Sequence, residues 1–308
     1  MRDHQEPHDG RVPIVDAHQH FWDLSLRRHP WLCREPWLPF RYGDYGAIRR
    51  DYLPDAYFRD CARQPVVKTV HMEAEWDPDD PLGETRWLMD LHRRTGFPNA
   101  IVGQAWFARE DAAAVLEAQA DCPLIRAIRQ KPAATPTPAE FRPGRKGSLA
   151  DPTFRAGYAH LARHGLHFEL QTPWWHLGEA ADLADDHPDT LIVLNHTGLP
   201  VDRSTEGLAA WHSALATLAQ RPNCAVKISG IGQPGRAWTA DRQREVVLPT
   251  IEIFGVERCL FASNFPVDSL CATFDEIFDG FRQIVSDFGA DEQRALFHDN
   301  AMRIYRPV

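Results

Sequence analysis

VPIVDAHQHFWD, residues 12–23, carries an apolar run directly into the pair His18 and His20. Successive side chains on a strand point to opposite faces, so residues two apart share one. Two imidazoles so placed, where a buried strand meets a loop, can hold one metal ion or one substrate oxygen between them. Seven further short apolar runs follow, at 66–73, 100–107, 123–130, 166–171, 190–196, 224–230 and 259–263. Most are apolar almost throughout rather than alternating, as a strand covered on both faces reads. Between them lie stretches of helical periodicity such as PLGETRWLMDLHRRTG and EGLAAWHSALATLAQ, several opening on Asp or a nearby Pro and closing on Gly. Eight strands, each followed by a helix, predict a single-domain (β/α)8 TIM barrel over 12–308, with residues 1–11 a flexible tail. A doubly wound sheet competes, but no Gly-rich phosphate turn follows any strand.

Composition narrows the function classes. The chain has 308 residues, 44% of them hydrophobic, and a formal net charge of -9. That acidity argues against nucleic acid or an anionic membrane as partner, because both reward a basic patch. No apolar run reaches the length of a spanning helix, and MRDHQEPHDG is too polar for a signal peptide, so a cytoplasmic location is expected. Cys33, Cys61, Cys122, Cys224, Cys259 and Cys271 show no CxxC spacing and read as reduced thiols.

Two segments exceed ordinary loop length. Residues 21–52 are rich in Trp, Tyr and Pro (HPWLCREPWLPFRYGDY), and residues 131–150 form a Pro-rich, basic loop. Both follow strands, which places them on the barrel face where lids and substrate walls belong. The aromatic density of the first predicts a pocket wall rather than a mere covering flap.

Chemistry in a barrel collects at the C-terminal ends of the strands. Strand one ends in His18 and His20. Strand two offers His71, Glu73 and Glu75, on one face if the strand continues; Glu75 and Asp77 otherwise read as solvated charges. Strand three offers Gln104 and Trp106. Strand four carries Arg126 and Arg129, three apart and so on opposite faces, with Lys131 sharing the face of Arg129. Strand five ends in Glu169 and Gln171, followed by Trp174, Trp175 and His176. Strand six ends in Asn195 and His196, strand seven in Lys227 and Ser229, and strand eight runs into Asn264 and Asp268.

The HxH of DAHQHFWD, the NHTG of 195–198 and the ASNFPV of 262–267 together resemble the amidohydrolase superfamily, in its branch of sugar-lactone and pyrone-dicarboxylate lactonases. The resemblance spans nearly the whole chain. It implies a distorted (β/α)8 barrel that hydrolyses a ring ester, amide or related bond. Carried over by position, His18 and His20 match the strand-one pair and His196 the strand-six histidine. Two departures stand out. The superfamily usually has Asp at the end of strand eight as metal ligand and general base. Here Asn264 stands there, and a neutral amide cannot take a proton from water. Where metal-binding members carry a strand-four Lys or Glu and a strand-five His, this chain has Arg126 or Arg129, and Gln171. A two-metal centre is not expected.

The expected reaction is hydrolysis of a small cyclic ester. Its carbonyl would be polarised by one divalent metal (zinc or manganese) on His18, His20 and Glu73, or without metal by an Arg/Lys/imidazole cluster. Glu73, Asp268 or His196 would activate water. Competing structural roles are a partnership of Glu73 with Arg126 or Arg129, a capped turn at His196, and a helix cap at Asp268. Asn264 would ligate or hydrogen-bond. Arg129, Lys131, Gln171 and an inward Lys227 would bind an anionic or polyhydroxylated substrate; an exterior Lys227 is the alternative. Trp174 and Trp175 would stack on a ring or pack in the core. Isomerisation, decarboxylation, or ligand binding without catalysis are the rival readings, and a homodimer through exterior helices is expected.

Overall fold

Eight parallel strands pair strictly in chain order: β1 (Ile14–Gln19), β2 (Val66–Met72), β3 (Ala100–Gln104), β4 (Ile125–Arg129), β5 (His167–Leu170), β6 (Ile192–Leu194), β7 (Cys224–Ile228) and β8 (Cys259–Phe261). These come from a computed structural model that describes residues 10–308; the expected tail over 1–11 lies almost wholly outside the described residues. A helix follows each strand: α1 (Pro54–Asp60), α2 (Gly83–Thr95), α3 (Ala112–Ala120), α4 (Pro152–Tyr158), α5 (Leu177–Asp186), α6 (Thr205–Ala219), α7 (Ala240–Phe254) and α8 (Phe274–Ile284). The architecture is the expected distorted (β/α)8 barrel. Among the described residues, no helix is long and apolar enough to cross a membrane. All six cysteines are free thiols.

The near-continuous apolarity of the strands has a physical reason. Alternate residues serve two cores. On β7, Cys224, Val226 and Ile228 pack under the helices, while Ala225 joins Val15, Val70, Ala100 and Leu260 inside the barrel. The interior is therefore a filled core. Its N-terminal end is plugged by α9 (Asn300–Tyr305), whose Ala301, Ile304 and Tyr305 belong to the same interior cluster.

The barrel closes imperfectly between β8 and β1, and a carboxylate completes the seam. Buried Asp16 accepts from the Ser263 amide (2.9 Å), the Ser263 hydroxyl (2.6 Å) and the Tyr57 hydroxyl (2.8 Å). Just beyond it, Asn264 N donates to His18 O and His20 N to Phe265 O, both at 2.8 Å. The β1 register shifts between Asp16 and Gln19. Val15 and Ala17 fill the interior, yet His18, next to Ala17, also turns its ring toward the mouth. The irregularity of β1, where its register against β2 shifts, thus aims the first histidine of the pair.

Candidate active site

His18, His20 and His196 converge at the C-terminal end of the strands. The His18 ring centroid lies 4.6 Å from that of His196 and 5.1 Å from that of His20. All three are buried. His20 Nδ1 lies 2.8 Å from Met72 O, which makes that nitrogen the protonated one and leaves Nε2 with a lone pair. His196 Nδ1 lies 2.9 Å from Ser229 Oγ. Neither nitrogen of His18 has a protein partner. Burial holds all three imidazoles well below their ordinary proton affinity; beside it, His196 acts on His18, and Arg129 on His20. For His196 the next cause is Arg41. Three neutral imidazoles thus meet at one point, one of them with both ring nitrogens unsatisfied.

Backbone strain gathers around them. His196, Thr197, Leu199, Glu75 and Asn264 all adopt left-handed φ of 52–57° without being glycine. Each such residue costs on the order of 1 kcal/mol, and such outliers cluster at functional sites. NHTG is indeed a turn, and the same turn presents the His196 ring to His18.

Asn264 and Asp268 form the strand-eight side. Asn264 Nδ2 donates to Asp268 Oδ1 at 2.7 Å, and Tyr42 OH to the same oxygen at 3.0 Å; Arg41 Nη2 stands 3.7 Å away. Burial raises the proton affinity of Asp268, opposed by Arg41 and by these hydrogen bonds. A buried carboxylate of raised basicity therefore lies one helical turn beyond the amide that replaces the usual acid.

His71, Glu73 and Glu75, expected on one face if β2 continued, go to separate partners. The strand ends at Met72, and three partners take the three groups. His71 Nδ1 accepts from Phe21 N at 3.1 Å, so its protonated Nε2 faces Glu84 Oε1 at 3.2 Å. Glu73 Oε1 lies 2.5 Å from Arg129 Nε, with both side chains buried. Glu75 pairs with Lys131 at the rim. Arg129 also donates through Nη2 to Glu73 O and through Nη1 to Gln171 Oε1 at 3.1 Å. Arg126 bonds Pro123 O and Arg306 O at the opposite end of the barrel.

A ligand set of His18, His20 and Glu73 does not fit a divalent cation here. Glu73 is already neutralised by a guanidinium that would repel the metal. Among the described residues, no group of three or more His, Cys, Asp or Glu side chains is arranged to hold one.

Lys227 points inward. Its Nζ lies 3.0 Å from Glu169 Oε2, with both side chains fully buried. Glu169 also takes bonds from Asn195 Nδ2 (2.6 Å) and the Tyr305 hydroxyl. Burial brings Lys227 down to about 8, with Glu169 opposing. This cluster lies beneath the imidazoles and ties the floor of the mouth to the plug helix. Trp175 Nε1 donates to Thr135 in the 131–150 loop, and Trp174 packs against the outer core. Neither is free-standing.

A cavity of about 460 Å³ opens over β2, β3 and β4, lined by Trp31, Trp76, Trp106, Glu73, Arg129 and Lys131 among others. Trp31 comes from the 21–52 loop, which is thus a pocket wall as well as a cover. Sequence reasoning did not single out Arg41 and Tyr42 of that loop, nor Glu84 of α2. The 21–52 segment marked itself by composition, but nothing in it tells which side chain turns inward.

The chain matches the family model for Amidohydrolase (Amidohydro_2) over residues 15–306. It is 40% identical over 295 residues to an uncharacterized protein, y4mH, of Sinorhizobium fredii, covering 96% of this chain and 99% of that one. It is 29% identical to an L-fucono-1,5-lactonase of Burkholderia ambifaria, covering 95% of each. A crystal structure of an amidohydrolase from Burkholderia multivorans with bound zinc superposes with a TM-score of 0.79 at 24% identity, over 96% of this chain and 100% of that one. With its eight strand ends, imidazole cluster and family match in agreement, the chain belongs to the amidohydrolase family and is a hydrolase.

Proposed function

We propose that the chain hydrolyses a small lactone at the His18–His20–His196 cluster without a metal. The observation that carries this reading is His18. A neutral imidazole has one N–H and one lone pair, and here both are buried without a protein partner. A lactone carbonyl oxygen suits the donor and a water molecule the acceptor. The positive field of Arg129 and Lys227 acts on the same spot, as its effect on His18 indicates, and would stabilise the developing oxyanion.

Asp268 is the base in this scheme. Water gives its proton to the carboxylate as its oxygen bonds the carbonyl carbon. The ring C–O bond then breaks, and the proton passes to the departing alkoxide, yielding a hydroxy acid. Asn264 holds Asp268 and cannot itself accept the proton. Glu73 orients Arg129. The L-fucono-1,5-lactonase named above is the relative that supports a sugar-derived ring.

A panel of aldonolactones, with product analysis in heavy-oxygen water, tests the reading. Hydrolysis places one solvent oxygen in the product carboxylate, and Asp268→Asn lowers kcat at least a thousandfold. Ring isomerisation or carbon dioxide release without label would replace hydrolysis by another reaction, and full activity in Asp268→Asn would remove the assigned base.

A further inference from the structure

We propose that Arg41 selects lactones that carry a carboxylate, taking that group on its guanidinium beside the hydrolytic centre. The inference rests on the lactone-hydrolysing reading and adds a requirement on the substrate.

Three other cations at the mouth are already matched, and Arg34, at the rim of the Trp-lined cavity, is exposed to solvent. Arg129 is bound on three nitrogens by Glu73 and Gln171. Lys227 faces Glu169 in full burial, and Lys131 is paired with Glu75. Arg41 differs. Its ionic contact is Asp268 Oδ1 at 3.7 Å, beyond hydrogen-bond reach, and Asn264 and Tyr42 already bond that oxygen. Among the described residues its N–H groups meet no protein acceptor in hydrogen-bond geometry. A guanidinium presents five donors, and those of Arg41, partly open to solvent, are free to take a ligand's oxygens.

Its position is also built. The Arg41 guanidinium carbon lies 4.5 Å from the Tyr42 ring centroid, and Tyr42 is bonded to Asp268. Stacking holds one face of the guanidinium and leaves its N–H edge for a planar, two-oxygen partner. Gly230, at φ +59°, makes room: a Cβ there would fall 2.8 Å from Arg41 Nη2 and 2.5 Å from His196 Nδ1. Guanidinium and imidazole therefore crowd the same point. The Arg41 side chain is 24% exposed whereas His18 is fully buried, so an entering molecule meets the cation above the imidazoles. In a chain of net charge -9, an anionic substrate needs such a local receptor.

The test compares D-glucaro-1,4-lactone with D-glucono-1,4-lactone, which share a ring and differ in bearing a carboxylate or a hydroxymethyl group. In the wild type kcat/KM favours the carboxylate by about 10- to 100-fold, the worth of a charge-assisted hydrogen bond. In Arg41→Met the ratio falls to about one, mainly through KM, and Arg41→Lys restores part of it. Calorimetric binding of glucarate against gluconate gives the same comparison without turnover. If neither lactone is cleaved, the hydrolytic reading fails for these rings while the selectivity for carboxylate still stands or falls by calorimetry. A wild-type ratio near one in both measurements, or a ratio that survives in Arg41→Met, overturns the proposal.

Discussion

Replacing Glu73 by Gln separates the two roles this carboxylate was expected to fill. In the structure it is the partner of Arg129, with Oε1 2.5 Å from Nε and side chains only 5% and 4% exposed. Removing one member of a buried pair leaves the other charge uncompensated, at about 3–5 kcal/mol. Gln keeps an acceptor oxygen and recovers about 1 kcal/mol of hydrogen bonding, so the net loss is about 3 kcal/mol. For a chain of 308 residues, an unfolding entropy of about 2.1 cal/mol/K per residue converts that to a Tm about 5 °C lower. Calorimetry reads the shift, and Glu73→Gln/Arg129→Gln should be less destabilised than the sum of its single variants. Activity in Glu73→Gln should fall about tenfold, because Arg129 loses its anchor beside His20. A Tm equal to wild type with kcat reduced a thousandfold would refute this reasoning and make Glu73 the base.

Further expectations follow from other contacts. Asp16→Ala removes the acceptor of Ser263 N, Ser263 Oγ and Tyr57 OH, so chemical denaturation should show a loss of about 3 kcal/mol, roughly 1 per bond; a neutral result would mean the seam closes without it. Burial lifts Glu84 from 4.5 to about 8. The folded state then binds the extra proton, and its stabilisation, complete below the unfolded value, drains away as pH rises from about 4.5 to 8. The wild type should therefore lose about 1.4 kcal/mol per pH unit relative to Glu84→Gln across that window, and parallel stability curves would contradict the assignment. Exhaustive chelation should leave kcat/KM within about twofold of the untreated enzyme; loss restored by zinc alone would overturn the metal-free scheme.

The barrel was legible because both faces of each strand are covered. A nearly continuous apolar run such as 100–107 could be read without its partners, and it folds as Ala100–Gln104. The histidines were legible for a related reason, since polar residues ending an apolar run must go to the mouth. Partner choice was not. Glu84 sits in the first turn of α2, where an acid ordinarily serves the helix dipole, yet it reaches back to His71 and Ala74 N. Glu73 fitted either the base or the Arg129 partner, and only the three-dimensional approach of β4 brings Arg129 Nε to 2.5 Å from its carboxylate. Arg41 was hidden among the several cations of a long loop. Its inward turn depends on Tyr42 packing against Asp268, 226 residues away in the chain. Sequence periodicity records burial, whereas pairing across strands depends on register and loop path.

The turnover of His18→Ala addresses the central claim most directly. With an aldonolactone that the wild type cleaves, assayed in heavy-oxygen water, the variant should fold with near-native circular dichroism and release labelled acid at least a thousandfold more slowly. Labelled acid formed at close to the wild-type rate would contradict the account, because the unsatisfied imidazole at its centre would then take no part in the reaction.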